Sequence, residues 1–292
     1  MLKILPQLFY QDPKITKVLV DGLSCIVHKQ LSEPVLRKEG YVSTHAITLV
    51  LKGILRAETD EGVAKQVKER EMIFLPKGIY TISDILPKNG LFEAVVFFFD
   101  EELIATFINS MNLKLKKDKP VAPLIFNYTP EIRAFTESLL TIYTKKEFAA
   151  RKLTKTKLLE LLHIISASRQ NDCLLHVLST LHNRERKSLK EFMNLNYSKP
   201  LGISDYAYLT GRSLSSFRRD FISQFGISPK QWLIEMRLEK ARSLLSNHHT
   251  TISQVSLEAG YEDTSHFIKV FHKKYGISPK QFLLQHRKEV LV

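Results

Sequence analysis

Phe217-Arg218-Arg219-Asp220-Phe221 leads into Phe225-Gly226-Ile227-Ser228-Pro229-Lys230-Gln231-Trp232-Leu233. Fifty residues later, Phe267-Ile268-Lys269-Val270-Phe271 leads into Tyr275-Gly276-Ile277-Ser278-Pro279-Lys280-Gln281-Phe282-Leu283. Each copy builds the same local structure. Phe217, Phe221 and Phe225, like Phe267, Phe271 and Tyr275, recur at i, i+4, i+8 and fall on one helical face. Gly226 and Gly276 suit a left-handed helix stop. Ser228 and Ser278 then cap a new helix, with Pro229 and Pro279 in its first turn and Gln231 and Gln281 placed to close a capping box.

Upstream of each aromatic helix stands a shorter one. Ile203-Ser204-Asp205-Tyr206-Ala207-Tyr208-Leu209-Thr210 turns through Gly211-Arg212 into Ser213, and Ile252-Ser253-Gln254-Val255-Ser256-Leu257-Glu258-Ala259 turns through Gly260-Tyr261-Glu262 into Asp263. A short helix, a glycine turn and a second helix is the helix-turn-helix plan. Between the two units, Ile234, Leu238, Ala241 and Leu245 form one stripe along a connecting helix. At 1.5 Å per residue that helix spans ~27 Å, so two reading helices are expected ~34 Å apart, in successive major-groove segments.

Charge points the same way. The 292 residues carry 43 Lys+Arg against 30 Asp+Glu, a net charge of +13. Residues 186–292 hold 17 Lys+Arg and only 9 Asp+Glu. A polyanion is therefore expected on the C-terminal third. No apolar run reaches the ~20 residues that cross a bilayer, and the two cysteines, Cys25 and Cys173, suggest neither a disulfide framework nor a metal knuckle. The chain reads as cytoplasmic, with no membrane partner.

Residues 41–99 read as short strands. Ile47-Thr48-Leu49-Val50-Leu51, Ile54-Leu55-Arg56-Ala57, Met72-Ile73-Phe74-Leu75, Ile79-Tyr80-Thr81-Ile82 and Phe92-Glu93-Ala94-Val95-Val96-Phe97-Phe98-Phe99 are separated by Gly, Pro and Asn89-Gly90. That punctuation predicts a small antiparallel sandwich or barrel. Asp100 caps a helix bearing Leu103, Ile104, Phe107, Ile108 and Met111. Lys114-Leu115-Lys116-Lys117-Asp118-Lys119-Pro120 reads as a solvated connector, and Thr129-Pro130 opens two amphipathic helices. Their apolar stripes, Ile132, Phe135, Leu139 and Ile142, then Leu153, Leu158, Leu161, Leu162, Ile164 and Ile165, fit a core or a homodimer face within residues 129–168.

Residues 187–286 resemble the DNA-binding domain of the AraC/XylS family of bacterial transcription regulators. The residues that carry the resemblance are Arg237, Ala241, Leu244-Leu245, Ile252, Gly260-Tyr261, Asp263, Ser265, Phe267, Phe271, Gly276 and Ser278-Pro279. Two positions depart from the family pattern: Ser256 stands where Ala is usual, and Leu283 where an Arg often follows the final Ser-Pro. The resemblance implies an α+β chain in three parts. Residues 1–120 form a cupin-like sensing domain, 121–185 a helical linker with dimerisation helices, and 186–292 a tandem helix-turn-helix domain of two units joined by a long helix. It also implies a transcription activator on promoter duplex DNA, working with RNA polymerase and residing on the nucleoid when bound. The input is a small molecule or a protein partner acting on the first domain.

A helical wheel places Ser215, Ser216, Arg219 and Ser223 opposite the first aromatic face, with Arg218 on the flank; in the second unit Ser265, His266, Lys269, His272 and Lys273 point outward. Arg219 suits a bidentate contact to guanine. Position by position, the family motif adds Arg218, Thr264 and Ile268, so the expected base readers are Ser215, Ser216, Arg218, Arg219, Thr264, Ser265, Ile268 and Lys269. Arg212, Lys230, Lys273, Lys274 and Lys280 are the expected phosphate contacts. No catalytic, cofactor or metal site is expected. There is no Walker loop, no G-x-S-x-G, no H-E-x-x-H and no G-x-G-x-x-G; His45 stands alone on its strand, His248-His249 lacks a third ligand, and Cys173 with His176 reads as core. Two alternatives stay open: a cupin-type enzyme fused to a DNA-binding domain, and a non-specific architectural DNA binder.

Overall fold

The apolar run Ala94-Val95-Val96-Phe97-Phe98-Phe99 lies at the centre of the N-terminal unit, and nearly every side chain in it is buried. The computed structural model describes residues 3–88, 90–111, 124–144, 153–167, 172–180, 186–246 and 250–289. It divides the chain into two units, residues 3–183 and 184–292.

In chain order the first unit runs β1 (Lys3–Leu5), α1 (Gln7–Gln11), β2 (Ile15–Asp21), β3 (Ser24–Leu31), β4 (Val35–Val42), β5 (His45–Lys52), β6 (Ile54–Thr59), β7 (Ala64–Val67), β8 (Glu71–Leu75), β9 (Gly78–Ile85), β10 (Phe92–Phe99), α2 (Glu101–Ser110), β11 (Leu124–Asn127), α3 (Pro130–Tyr143), α4 (Thr154–Ala167) and α5 (Asp172–Thr180). One sheet has the order β1-β4-β9-β6-β7 and the other β11-β8-β5-β10-β3-β2. All pairings are antiparallel except β1 with β4.

β10 pairs with β5 along one edge and β3 along the other, and its two faces are covered by different layers, so alternate residues serve two different cores. Phe92, Ala94, Val96 and Phe98 join Leu55, Val67, Leu75 and Tyr80 between the sheets. Val95, Phe97 and Phe99 meet a helical layer on the opposite face. Asp100 caps α2 by accepting from the Leu103 N–H at 2.8 Å, and Thr129 caps α3 with Pro130 in its first turn.

The stripes of α3 and α4 are spent inside this unit. Leu158, Leu161, Leu162 and Ile165 are fully buried with Ile132 and Leu139 in the same cluster as Phe97, whereas Ile142 and Leu153 remain exposed. The five runs named within residues 41–99 stand where the sequence placed them, as β5, β6, β8, β9 and β10, whereas β7, paired with β6, is a strand the sequence reading did not mark. β2, β3 and most of β4 precede that range, and β11 follows the connector to extend the second sheet beside β8. Residues 112–123, which include the lysine-rich connector, lie outside the described residues, as does Asn89.

One polar feature crosses the sandwich. Lys29 of β3 reaches Asp84 of β9 at 2.5 Å, from one sheet to the other, and its ammonium lies 5.7 and 5.5 Å from the ring centres of Phe9 and Phe92. Asp84 is almost wholly buried, and its Oδ1 accepts no hydrogen bond. These groups line a cavity of about 30 Å³ together with Val42, Leu55, Val96 and Phe98.

The second unit is helical: α6 (Leu189–Asn196), α7 (Ile203–Leu209), α8 (Leu214–Phe225), α9 (Pro229–Leu245), α10 (Ile252–Glu258), α11 (Thr264–Tyr275) and α12 (Pro279–Glu289). Gly226 and Gly276 both sit at φ 75°, ψ −10°, the left-handed stop expected of them. Phe217 and Phe221 pack 5.5 Å apart, and Phe267 and Phe271 5.6 Å apart, all fully buried. Trp232 closes the first cluster 5.7 Å from Phe221, and Phe282 closes the second 5.8 Å from Phe271.

The duplication breaks at two points. Ser278 and Gln281 form the expected reciprocal cap: the Gln281 N–H donates to Ser278 Oγ, while the Ser278 N–H donates to Gln281 Oε1. Ser228 caps α9 in the same way, but the Gln231 amide turns instead to Glu235 at 2.7 Å. The second helix-turn-helix also has one more turn residue. Gly211, Arg212 and Ser213 connect α7 to α8 through one residue fewer than Gly260, Tyr261, Glu262 and Asp263 between α10 and α11.

Candidate nucleic-acid interface

Each turn is fixed by main-chain bonds. The Gly211 N–H donates to Tyr208 O and the Arg212 N–H to Ala207 O; the Gly260 N–H donates to Leu257 O and the Tyr261 N–H to Ser256 O. Ser213 and Asp263 cap α8 and α11. With the phenylalanines pinned inward, the opposite face of each helix is left to solvent.

On α8 that face carries Ser215, Arg218, Arg219, Ile222 and Ser223, all exposed. Ser216 sits lower, half-buried, and its hydroxyl accepts from Ser213 Oγ at 3.0 Å within the cap. Arg219 keeps 75% of its side chain exposed, with Nε 3.5 Å from Asp220. On α11 the exposed residues are Ser265, His266, Ile268, Lys269, His272, Lys273 and Lys274, and Thr264 is half-buried. Ile268 is 38% exposed, so it presents a methyl surface outward instead of filling the core. Lys230 and Lys280 are exposed at the starts of α9 and α12.

Arg212 departs from the expected phosphate role. Its side chain is only 8% exposed. Nη1 donates to Lys187 O at 2.9 Å and to Thr210 O at 2.7 Å, and Nε donates to Asp220 at 3.2 Å. The guanidinium has its partners within the fold and locks the turn to α8. Asp220, to which spacing assigns no role, gathers Arg212, Arg219 and Arg186, the last at 3.8 Å. Its signal is local: the one carboxylate on an otherwise cationic stretch of α8.

Arg237, on α9, is held within the fold. Nε donates to Tyr197 O and Nη2 to Lys199 O. Burial pushes the Tyr206 phenol up to about 12, against the pull of the Arg237 charge beside it, and the Tyr261 phenol likewise to about 12. Ser256, the departure from the family pattern, is fully buried, and its hydroxyl has no hydrogen-bond partner.

In the first unit, His45 is buried; its Nδ1 accepts from the Lys77 N–H at 3.2 Å, and its ring stacks on Phe74. Among the described residues no group of three His, Cys, Asp or Glu is placed to hold a metal ion, and no helix is long and apolar enough to cross a membrane. His248-His249 and the Cys173 side chain lie outside the described residues.

Comparison with known proteins adds the following. Residues 45–177 match the family model described as the ExsA N-terminal regulatory domain, and residues 206–285 match a helix-turn-helix domain model. The virulence regulon transcriptional activator VirF of Yersinia enterocolitica is 30% identical over 207 residues, covering 68% of this chain and 74% of that protein. The thermoregulatory protein LcrF of Yersinia pestis is 28% identical over 233 residues, covering 77% and 83%. The HTH-type transcriptional regulator ExsA of Pseudomonas aeruginosa is 28% identical over 203 residues, covering 68% and 71%. Among solved structures, an apo single-substitution variant of ToxT from Vibrio cholerae aligns with a TM-score of 0.44 at 12% identity, over 90% of this chain and 98% of that one.

Proposed function

This chain belongs to the AraC family of transcription regulators, and from that premise we propose that it is a sequence-specific activator whose helices α8 and α11 enter successive major-groove segments of promoter DNA. The observation that carries the reading is the pair of exposed polar faces, each backed by the same buried aromatic stack. Arg219 is the principal base reader, and Ser215, Arg218, Ser265, Ile268 and Lys269 complete the reading surface. Ser216 and Thr264, both half-buried, border it. Lys230, Lys273, Lys274 and Lys280 neutralise phosphates.

The first unit is the regulatory part. Its interior cavity of about 30 Å³ has room for about one water, far below the ~300–1,000 Å³ of small-molecule sites. The proposed input is a small molecule or a protein partner acting on this unit. A homodimer built within residues 129–168 uses surfaces other than the buried stripes of α3 and α4, with the exposed Ile142 and Leu153 among them. The relatives are transcription regulators, which supports a non-enzymatic, cytoplasmic protein that works with RNA polymerase and resides on the nucleoid when bound.

Selection of duplexes from a random pool by the full-length chain tests the reading. The expected product is a two-part site, its halves about one helical turn apart and footprinted on one face of the duplex. Binding should exceed that to random duplex by ~10³ or more at physiological salt. Equal affinity for all duplexes would establish the architectural alternative instead. Transcription in vitro from a promoter bearing the selected site should rise on adding the protein, and a fall would make it a repressor.

A further inference from the structure

Arg237 projects from α9, the helix that runs from one helix-turn-helix to the other, and its guanidinium is shared between them. Toward the first, Nε donates to Tyr197 O at 2.8 Å and Nη2 to Lys199 O at 2.7 Å, both in the segment joining α6 to α7. Nη2 also lies 3.5 Å from the hydroxyl of Tyr206 on α7, which itself sits 2.9 Å from Asn196 O. Toward the second, the guanidinium carbon lies 6.0 Å from the ring centre of Tyr261. Gly260, at φ +96°, closes the contact: a Cβ there would stand 2.6 Å from Ser198 O and 3.0 Å from Arg237 Nε. The carbonyls of the first half therefore press against the bare backbone of the second, with one planar cation filling the seam. Thr264, where α11 begins, is only four residues beyond Gly260, so a shift at the seam passes directly to the start of a reading helix.

We infer that Arg237, with Gly260 and Tyr261, is a positioning joint that fixes the separation and angle of α8 and α11, and so determines the spacing between the two DNA segments this protein accepts. A guanidinium suits the task because its flat fork bonds two carbonyls while its face meets a ring; an ammonium offers neither geometry. The inference rests on the reading that both helices enter DNA. Arg237 itself is not placed on the reading faces.

The test uses the full-length chain and the duplex it selects, together with versions of that duplex lengthened or shortened by one base pair between the two halves. Wild type should favour the selected spacing by about tenfold or more, the order of one lost base contact. Arg237→Lys and Gly260→Ala should each flatten that preference at least about fivefold while both halves stay footprinted. The second variant opens the seam with a methyl group and leaves the cation in place. Folded variants with wild-type spacing preference, or with equal loss on every spacing, would overturn the inference. So would failure of both variants to fold, because the seam would then hold the domain together instead of setting its geometry. A wild-type protein indifferent to spacing would overturn the two-groove reading and the joint together, whereas a spacing-sensitive wild type with unchanged variants would overturn the joint alone.

Discussion

Arg212 and Arg219 stand seven residues apart in one helix-turn-helix, and replacing each by Ala should give opposite results. In Arg212→Ala the loss is structural. The 8%-exposed guanidinium donates to two carbonyls and one carboxylate, and each of the three loses that donor. Breaking a buried ion pair costs ~3–5 kcal/mol. Asp220 retains Arg219 and Arg186 within 3.5 and 3.8 Å, which sets the expectation at the lower end, ~3 kcal/mol. For a unit of ~100 residues, 1 kcal/mol shifts the midpoint by ~4–8 °C, so the second unit should melt ~12–24 °C lower. In Arg219→Ala the side chain removed is 75% exposed and its ion pair is a surface one, worth ~0–1 kcal/mol. Its melting should stay within a few degrees of wild type, while affinity for the selected duplex falls ~5–150-fold, the ~1–3 kcal/mol of a bidentate base contact. Random duplex should be bound almost as before. Thermal unfolding and titration of fluorescent duplexes with the full-length proteins read both quantities. An Arg212→Ala protein that melts normally yet loses DNA, or an Arg219→Ala protein with undiminished selectivity, would refute the division of roles.

Ser256→Ala should stabilise the second unit by ~1 kcal/mol or more, because it removes a buried hydroxyl that makes no hydrogen bond; a lower melting point would show that the hydroxyl is in fact satisfied. In the first unit, Lys29→Met alone or Asp84→Leu alone should cost ~3–5 kcal/mol by stranding the other charge, whereas the double variant should be near neutral or more stable; additive losses by chemical unfolding would contradict this. Tyr206 and Tyr261 titrate near 10 in an unfolded chain and near 12 here. The folded state therefore holds protons that the unfolded one sheds, and the stability these residues contribute is present below pH ~10 and lost as pH climbs from ~10 to ~12. Tyrosinate absorbance and circular dichroism followed together should show ionisation and unfolding coincide; tyrosines that ionise near pH 10 in an intact fold would contradict it.

The second unit was legible because its signals are local and occur twice. Glycine stops, Ser-Pro caps and i, i+4 aromatics act within a few residues, so spacing alone predicts them. Where local rules compete, spacing is not enough: Gln231 leaves its cap because Glu235 stands one turn on, while the equivalent position after Gln281 holds Gln285 and the cap survives. Arg212 read as surface because its acceptor Lys187 O lies 25 residues back in the chain and is brought near only by the fold. Ser216 fell on the outer side of an ideal wheel, yet the cap of Ser213 draws its hydroxyl in. In the first unit, β3 escaped notice because Lys29 faces inward to Asp84 across the sheets, breaking the apolar alternation that marks a strand. The leucine stripe of α4 is the same whether it meets a sheet or a second copy, and only the fold shows that it meets the sheet.

The two-faced strand β10 has a consequence for how this protein is made. Val95, Phe97 and Phe99 leave the ribosome well before α4 and α5, which help to roof them. About eighty residues separate Phe99 from Leu178, which at ~5–20 residues per second leaves that greasy surface uncovered for ~4–16 s during translation. Such a bare, β-prone stretch invites clumping. Yield of the intact protein should therefore depend on chaperone supply and cool growth, and chains ending after β11 but before α4, near residue 150, should go into inclusion bodies even though β1 to β11 are all present.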